Sequence, residues 1–250
     1  MKRVLITGIS GLIGGVLKEE LTKNYEIFGL DRIPSEDSNL TAADISDYQS
    51  ILPAFKDIDT VIHLAANLNV EASWEEVLPS NIIGTYNVFH AARQASVKHI
   101  IFASTNRVTH GYEKDEPYSS IVAGKYEGLK PGEFPMISEN LPVRPDSFYA
   151  VSKLFGENLG RFYYEKYDIP VTCLRIGSVN KSNKPELIRD FATFCSHRDL
   201  AQLVEKCVEA DNLTFDIFYG VSQNTWRFWS YENAQSKLGY SPEANAESYR

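Results

Sequence analysis

The 250-residue chain has few cysteines, no excess of basic residues and no long hydrophobic run. Its three cysteines, Cys173, Cys195 and Cys207, have no CxxC spacing and are odd in number, which suits a reducing compartment and forms no complete metal set. The net charge of −8 disfavours a nucleic-acid partner, which would call for a basic face. No apolar run approaches the ~20 residues that span a bilayer, and the opening residues lack the apolar segment of a signal peptide. We therefore expect a cytoplasmic protein that binds neither nucleic acid nor membrane and holds no metal.

Short apolar runs alternate with helical patterns along the chain. The runs that predict strands are Val4–Ile6, Ile27–Leu30, Thr60–Leu64, Ile100–Ala103, Val171–Ile176 and Phe215–Tyr219. This alternation predicts an α/β fold, a doubly wound parallel sheet with helices on both faces. The length suits one large domain, and we expect residues 1–250 to form it.

Two segments predict helices. Residues 73–96 read as a helix that contains Pro79, so we expect it to be kinked or divided there. Residues 148–167 predict a long helix whose apolar side chains cover too much of its circumference for one buried stripe. A second copy of the chain could cover the extra face, which favours a homodimer through the 73–96 and 148–167 helices.

Residues 107–148 lack a long amphipathic pattern and are rich in glycine and proline. Loops of this length in compact domains tend to be lids, binding loops or disordered segments. We expect this excursion, residues 178–196 and the C-terminal stretch to form a small substrate-binding portion near the carboxyl ends of the strands. Disorder of residues 107–148 is the alternative.

Three glycines, Gly8, Gly11 and Gly14, follow the first predicted strand and open a helix. In such a turn the glycines permit a tight bend, a close approach to a pyrophosphate and close packing of helix on sheet. Asp31 ends the second apolar run about 20 residues later, where a carboxylate meets an adenosine ribose. The alternative is an ordinary glycine-rich turn, and the neighbouring Arg32 could accommodate a ribose 2′-phosphate.

Tyr149 and Lys153 are four residues apart on the second predicted helix, so they share one face. A free tyrosine has a pKa of about 10, and a nearby cation favours the phenolate, so we expect Lys153 and the oxidised nicotinamide ring of a bound dinucleotide to lower the pKa of Tyr149. Ser104 and Thr105 end the strand at Ile100–Ala103, where a hydroxyl could orient a substrate oxygen. The alternatives are a surface pair and a loop cap.

Together these features resemble the extended short-chain dehydrogenase/reductases, the NAD-dependent epimerase/dehydratase superfamily, from Val4 to about Tyr240. The stretches most similar to uronate dehydrogenases and related sugar dehydrogenases are 104–108, 144–149, 152–157 and 174–178. The resemblance implies a Rossmann-like fold, NAD as cofactor, NADP being disfavoured by Asp31, and a catalytic group of Thr105, Tyr149 and Lys153. It implies that the coenzyme is bound by Gly8, Gly11, Leu12, Ile13, Gly14, Asp31, Arg32, Asp44, Ile45, Leu64, Ala65, Ala66, Asn81, Ser104, Tyr149, Lys153 and Ile176.

For the substrate, the resemblance implies a sugar bound by Asn69, Thr105, Asn106, Ser178 and Arg189. Arg189 would grip a carboxylate with both arms of its guanidinium if the sugar is a uronate. The implied reaction is transfer of a hydride from a hydroxyl of an aldose, uronate or sugar phosphate to NAD. Two alternatives stay open, namely a sugar-nucleotide epimerase or dehydratase with tightly bound NAD, and a non-catalytic dinucleotide sensor.

Overall fold

The computed structural model describes residues 1–250 and contains one parallel sheet of seven strands. The strands are β1 (Arg3–Thr7), β2 (Glu26–Asp31), β3 (Leu40–Ala42), β4 (Thr60–His63), β5 (His99–Thr105), β6 (Val171–Ile176) and β7 (Phe215–Gly220). Their order across the sheet is β3-β2-β1-β4-β5-β6-β7, and each neighbouring pair is parallel. The order reverses between β1 and β4, so the carboxyl ends of these two strands border a crevice of the kind that binds ligands in open α/β sheets.

Helices connect most of the strands and cover both faces of the sheet. They are α1 (Leu12–Leu21), α2 (Tyr48–Ile51), α3 (Trp74–Val77), α4 (Thr85–Gln94), α5 (Tyr118–Val122), α6 (Phe148–Tyr167), α7 (Asp190–Thr193), α8 (His197–Glu209) and α9 (Glu232–Leu238). Segments of 3₁₀ helix occupy Leu52–Phe55, Asn106–Lys114 and Ala246–Tyr249. None of the helices combines the length and the apolar character that crossing a bilayer requires.

Alternate residues of each inner strand enter two separate cores. In β1, Val4 and Ile6 belong to a core of 34 buried residues, whereas Leu5 belongs to a second core of 19. The first core contains apolar side chains of α1 and α8, and the second contains those of α4. A sheet buried on both faces explains why its strands read as continuous apolar runs rather than as alternating patterns.

All six predicted strands are confirmed, and the doubly wound parallel sheet is confirmed with them. The strand that the sequence did not predict is β3. It has three residues, lies at the edge of the sheet beside β2 and has no buried side chain. A strand so short and exposed leaves no hydrophobic pattern to detect.

Both predicted helical segments are confirmed. The 73–96 segment is divided into α3 and α4 by a π-helical stretch, Leu78–Gly84, whose first turn contains Pro79. A proline in the first turn removes no hydrogen bond from the helix that it opens, which explains its place there. The second segment is α6, with the predicted bounds of 148 and 167.

The 107–148 excursion follows β5 directly and is packed on the first core. It contains the 3₁₀ turn at Asn106–Lys114 and the short helix α5, and Ile137 forms an isolated bridge with Trp229. Tyr118, Ile121 and Phe134 are buried. The alternative of a disordered excursion is therefore wrong, because these side chains contribute to the same core as the sheet.

Candidate active site

The glycine turn joins β1 to α1 and leaves the start of the helix uncovered. Gly8 has φ +73°, and a Cβ there would lie 2.8 Å from the backbone nitrogen of Ala65. A Cβ on Gly14 would lie 2.4 Å from the carbonyl oxygen of Gly8, so the helix packs directly on the turn. Gly11 caps α1 without a side chain over the helix start. The turn therefore has the tight bend, open approach and close packing expected of a pyrophosphate cradle.

Two cavities adjoin this turn at the carboxyl edge of the sheet. The inner cavity has a volume of about 460 Å³ and is lined by Thr105, Tyr149 and Lys153, among others. The outer cavity has a volume of about 670 Å³ and is lined by Asp31 and Asp44, among others. Gly8, Gly11, Leu64 and Leu68 line both, so the two cavities flank one turn and can hold the two ends of an elongated ligand.

Backbone amides hold the carboxylate of Asp31 at the end of β2. Its oxygens accept hydrogen bonds from the amides of Ser10 (3.0 Å), Arg32 (2.7 Å) and Ile33 (3.3 Å). A carboxylate has about four lone-pair sites, so it retains room to accept a hydrogen bond from a ribose hydroxyl. Nearby, a hydrogen bond from the Ser46 amide lowers the pKa of Asp44 and keeps that carboxylate charged.

Tyr149 and Lys153 project from the first turns of α6 into the inner cavity. Ser147 caps the helix, since its hydroxyl accepts a hydrogen bond from the Ala150 amide at 3.2 Å. Tyr149 is 8% exposed and Lys153 is 3% exposed. The Lys153 ammonium donates to the carbonyl oxygen of Ala103 at 2.7 Å, and burial lowers its pKa to about 7.

The pKa of Tyr149 is shifted by the surroundings of its phenol. Burial raises it, while the Thr105 hydroxyl and the Arg107 charge lower it by less. The Lys153 ammonium is directed to Ala103 and lies 5.9 Å from the centre of the Tyr149 ring. The lowering of the pKa of Tyr149 by Lys153 and the nicotinamide ring stays a prediction.

The two hydroxyl residues at the end of β5 point in different directions. Thr105 accepts a hydrogen bond from the Arg107 amide at 3.2 Å and lies beside Tyr149 in the inner cavity. Ser104 also borders this cavity, but its hydroxyl donates to the buried Glu157 carboxylate at 2.6 Å. The Ser104 hydroxyl is thus held away from the cavity, and Thr105 is the hydroxyl available to a ligand.

Most of the remaining predicted residues line one of the two cavities. The inner cavity includes Leu12, Ile13, Gly14, Asn106, Ile176 and Ser178. The outer cavity includes Arg32, Ile45, Ala65 and Ala66. Most of the predicted residues therefore lie in the lining of the two cavities, and their contacts with ligand stay predictions.

Two of the predicted asparagines line neither cavity. Asn81 is buried, and its side-chain amide donates to the Asn67 carbonyl at 2.9 Å and to the Ser152 hydroxyl at 2.9 Å. Asn69 is exposed and accepts a hydrogen bond from the Glu71 amide at 3.0 Å. Both side chains stabilise the turn after β4, and their contact with a ligand stays a prediction.

Arg189 is the third predicted residue outside the cavity lining. Its guanidinium forms two hydrogen bonds with the carboxylate of Glu113, Nε to Oε2 at 2.7 Å and Nη2 to Oε1 at 2.6 Å. The guanidinium fork is therefore occupied by Glu113 in this structure, and a grip of Arg189 on a substrate carboxylate stays a prediction. Glu113 escaped prediction because it lies in the excursion, where no periodic pattern or motif marks a residue.

Three further charged residues line the inner cavity without having been predicted: Arg107, Glu186 and Asp190. Arg107 forms an ion pair with Asp146. The Asp190 carboxylate accepts hydrogen bonds from the amides of Glu186 and Leu187, each at 3.0 Å. Ion pairs and loop contacts of this type depend on tertiary folding, so the local sequence carried no signal for them.

The glycine turn, the acidic residue that ends β2 and the two cavities at the switch in strand order define a dinucleotide-binding α/β protein. A side chain at Gly8 or Gly14 would collide with backbone atoms, so glycine is required for the tight turn. The turn and the uncovered start of α1 therefore fit a dinucleotide. The chain belongs to the NAD dependent epimerase/dehydratase family, whose model matches residues 4–231.

Individual relatives are similar over nearly their whole length. An NAD-dependent glucose-6-phosphate dehydrogenase of Haloferax volcanii is 34% identical over 98% of this chain and 95% of its own. An L-arabinose 1-dehydrogenase (NAD(P)(+)) of the same organism is 32% identical over 98% of each chain. The crystal structure of uronate dehydrogenase from Agrobacterium tumefaciens has a TM-score of 0.84 at 32% identity, covering 100% of this chain and 87% of that one. The names of these three relatives refer to a sugar phosphate, a neutral aldose and a uronate, which differ in charge.

Proposed function

We propose that this protein is an NAD-dependent sugar dehydrogenase that oxidises a sugar hydroxyl. The observation that carries the proposal is the convergence of Thr105, Tyr149 and Lys153 in one cavity beside the glycine turn. Its full-length relatives named above, all dehydrogenases, support the same activity. A non-catalytic dinucleotide sensor would have no need for these three side chains beside the turn.

The coenzyme is assigned to the two cavities from their chemistry. The adenosine end belongs in the outer cavity, where Asp31 can accept a ribose hydroxyl, and the pyrophosphate belongs over the start of α1. The nicotinamide end belongs in the inner cavity, beside Tyr149 and Lys153. Bound there, the nicotinamide ring supplies the hydride acceptor of the reaction.

In the proposed reaction the chain's own residues position the sugar and move its proton. The Thr105 hydroxyl holds the reacting oxygen, and the Tyr149 phenolate removes the hydroxyl proton as general base. Lys153 remains beside the Ala103 carbonyl and binds a ribose hydroxyl of the coenzyme. The segments 107–148 and 178–196 form the substrate side of a single domain and exclude water from the inner cavity.

A substrate screen tests this proposal. Purified protein is mixed with NAD or NADP and with neutral aldoses, uronates or sugar phosphates, and absorbance of the reduced coenzyme is followed. We expect net reduction with free sugars, faster with NAD because the Asp31 carboxylate repels a 2′-phosphate. No net reduction with any sugar, together with NAD that copurifies with the protein, would support the epimerase or dehydratase alternative.

We also propose a homodimer through the 73–96 and 148–167 segments. Large apolar side chains are exposed on both segments, among them Tyr86, Phe148, Val151 and Phe162. A patch of this kind on two adjacent helical segments suits a symmetric interface with a second copy. The buried free cysteines are consistent with the reducing cytoplasm, where we place the protein.

Replacing Phe162 with glutamate tests the dimer. Sedimentation velocity should give a dimer for the natural protein and a monomer for Phe162→Glu, because a charge at the centre of an apolar interface cannot be desolvated without a partner. Leu141→Glu is the control, since Leu141 is an exposed apolar residue outside both segments. A natural protein that sediments as a monomer would exclude the dimer.

A further inference from the structure

An internal ion pair lies directly behind the inner cavity. Arg189 contacts two residues of the cavity lining: its Nη1 donates to the Ser178 hydroxyl at 3.3 Å and its Nη2 to the Asn106 side-chain oxygen at 3.5 Å. The partner of Arg189 is Glu113, which is 6% exposed and lies at the end of the 3₁₀ turn that begins with Asn106. The pair is therefore placed to influence what binds beside Asn106 and Ser178.

The geometry of the pair matches the way in which a guanidinium binds a carboxylate ligand. Two parallel N–H donors of Arg189 meet the two oxygens of Glu113, at 2.7 and 2.6 Å. Burial raises the pKa of Glu113, but hydrogen bonds from His110 and Arg189 outweigh it and give a net lowering. Glu113 is thus charged near neutral pH and neutralises the arginine.

Other charges around the inner cavity are balanced in the same way. Arg107 lines the cavity but is paired with Asp146. Glu186 and Asp190 add two carboxylates to the lining. The remaining cation of the lining, Lys153, is engaged by the Ala103 carbonyl. An anionic sugar group that enters beside Asn106 and Ser178 would therefore meet paired arginines and like charge, which opposes its binding.

We propose, given the dehydrogenase function above, that Glu113 determines substrate specificity. Its carboxylate occupies the guanidinium fork that a uronate carboxylate would need, so the substrate is a neutral aldose rather than a uronate or a sugar phosphate. Glu113 acts by positioning and neutralising Arg189, and it takes no part in proton or hydride transfer. Removing its charge frees the Arg189 fork for a carboxylate on the substrate.

The test compares Glu113→Gln and Glu113→Ala with the natural protein. For each, kcat/KM with NAD is measured for neutral aldoses, the uronates glucuronate and galacturonate, and sugar phosphates, and uronate binding to the NADH complex is measured by calorimetry. We expect the ratio of kcat/KM for uronate over neutral aldose to rise about tenfold or more in both variants, the scale of a charge-assisted hydrogen bond. Asp115→Asn is the matched control. Asp115 lies in the same segment as Glu113, but its carboxylate pairs with Arg144 instead of Arg189.

The outcomes separate this proposal from the function on which it rests. A natural protein that reduces NAD with none of the three sugar classes overturns both. A natural protein that prefers a uronate or a sugar phosphate is a dehydrogenase, but the substrate is then not neutral and the proposal is overturned. If both Glu113 variants match Asp115→Asn in substrate ratio and in uronate binding, Glu113 does not set specificity. Calorimetry decides the last point even if a variant has lost turnover.

Discussion

Replacing Tyr149 with phenylalanine is expected to lower kcat by about 10² or more, the contribution of a positioned general base. The phenol is buried in the inner cavity beside Thr105, so its proton transfer is lost with its hydroxyl. The substitution removes one oxygen and keeps the buried ring in the first turn of α6. Affinity for NAD, measured by quenching of protein fluorescence, should be nearly unchanged.

The matched control for this prediction is Tyr164→Phe, the same change on the same helix. Tyr164 is partly exposed and lines neither cavity, so kcat should stay at its natural value. Because burial raises the pKa of Tyr149, kcat/KM of the natural protein should rise with pH above neutrality. Turnover that survives in Tyr149→Phe with this pH dependence intact would remove Tyr149 from the mechanism.

Much of the architecture could be predicted because the signals are local. The glycine turn is recognisable because only glycine tolerates the contacts at Gly8 and Gly14, and the chain order of strand, turn and helix preserves the motif. The strands of the sheet interior are continuous apolar runs, since both of their faces are buried. β3 is different, because an edge strand of three partly exposed residues needs no apolar pattern.

The site was predicted where backbone position alone places a residue and not where its partner comes from elsewhere in the chain. Thr105 follows a strand and Tyr149 lies at the start of a helix, so topology brings both to one edge of the sheet. The resemblance gave Arg189 a substrate to bind, but it could not reveal Glu113, which lies 76 positions earlier and occupies the same guanidinium. Asn81 similarly has its amide engaged by the turn after β4.

The Lys153 and Tyr149 pair shows a further limit of spacing arguments. Two residues four positions apart share a helix face, and this part of the prediction is confirmed by their common cavity. Spacing does not decide which acceptor the ammonium chooses, and here the Ala103 carbonyl is within 2.7 Å. The effect of Lys153 on the pKa of Tyr149 therefore depends on the contact between Lys153 and β5. The spacing of residues along α6 contains no information about that contact.

The largest expected loss of stability follows from a buried ion pair beneath this site. Arg175 on β6 is 2% exposed, and its guanidinium donates to Glu157 of α6 from Nε and Nη2, each at 2.9 Å. The Ser104 hydroxyl donates to the same carboxylate, and Tyr219 accepts a hydrogen bond from Arg175 at 3.3 Å. The carboxylate raises the pKa of Arg175 further above its ordinary range, so the guanidinium stays charged inside the protein.

Glu157→Ala should therefore lower the free energy of unfolding by about 3–5 kcal/mol, because it leaves an uncompensated buried charge. Urea denaturation followed by circular dichroism measures the loss. Glu165→Ala is the control on the same helix: Glu165 forms an exposed pair with Arg161, and its loss should cost less than about 1 kcal/mol.

The double variant Glu157→Leu with Arg175→Met should recover much of the stability, since two apolar side chains of similar volume need no partner. Equal losses in Glu157→Ala and Glu165→Ala would contradict the assignment, as would a double variant less stable than Glu157→Ala. With equal losses, β6 and α6 would owe their packing to apolar contacts rather than to the ion pair. With a less stable double variant, the polar contacts of Ser104 and Tyr219 would contribute more than apolar side chains can replace.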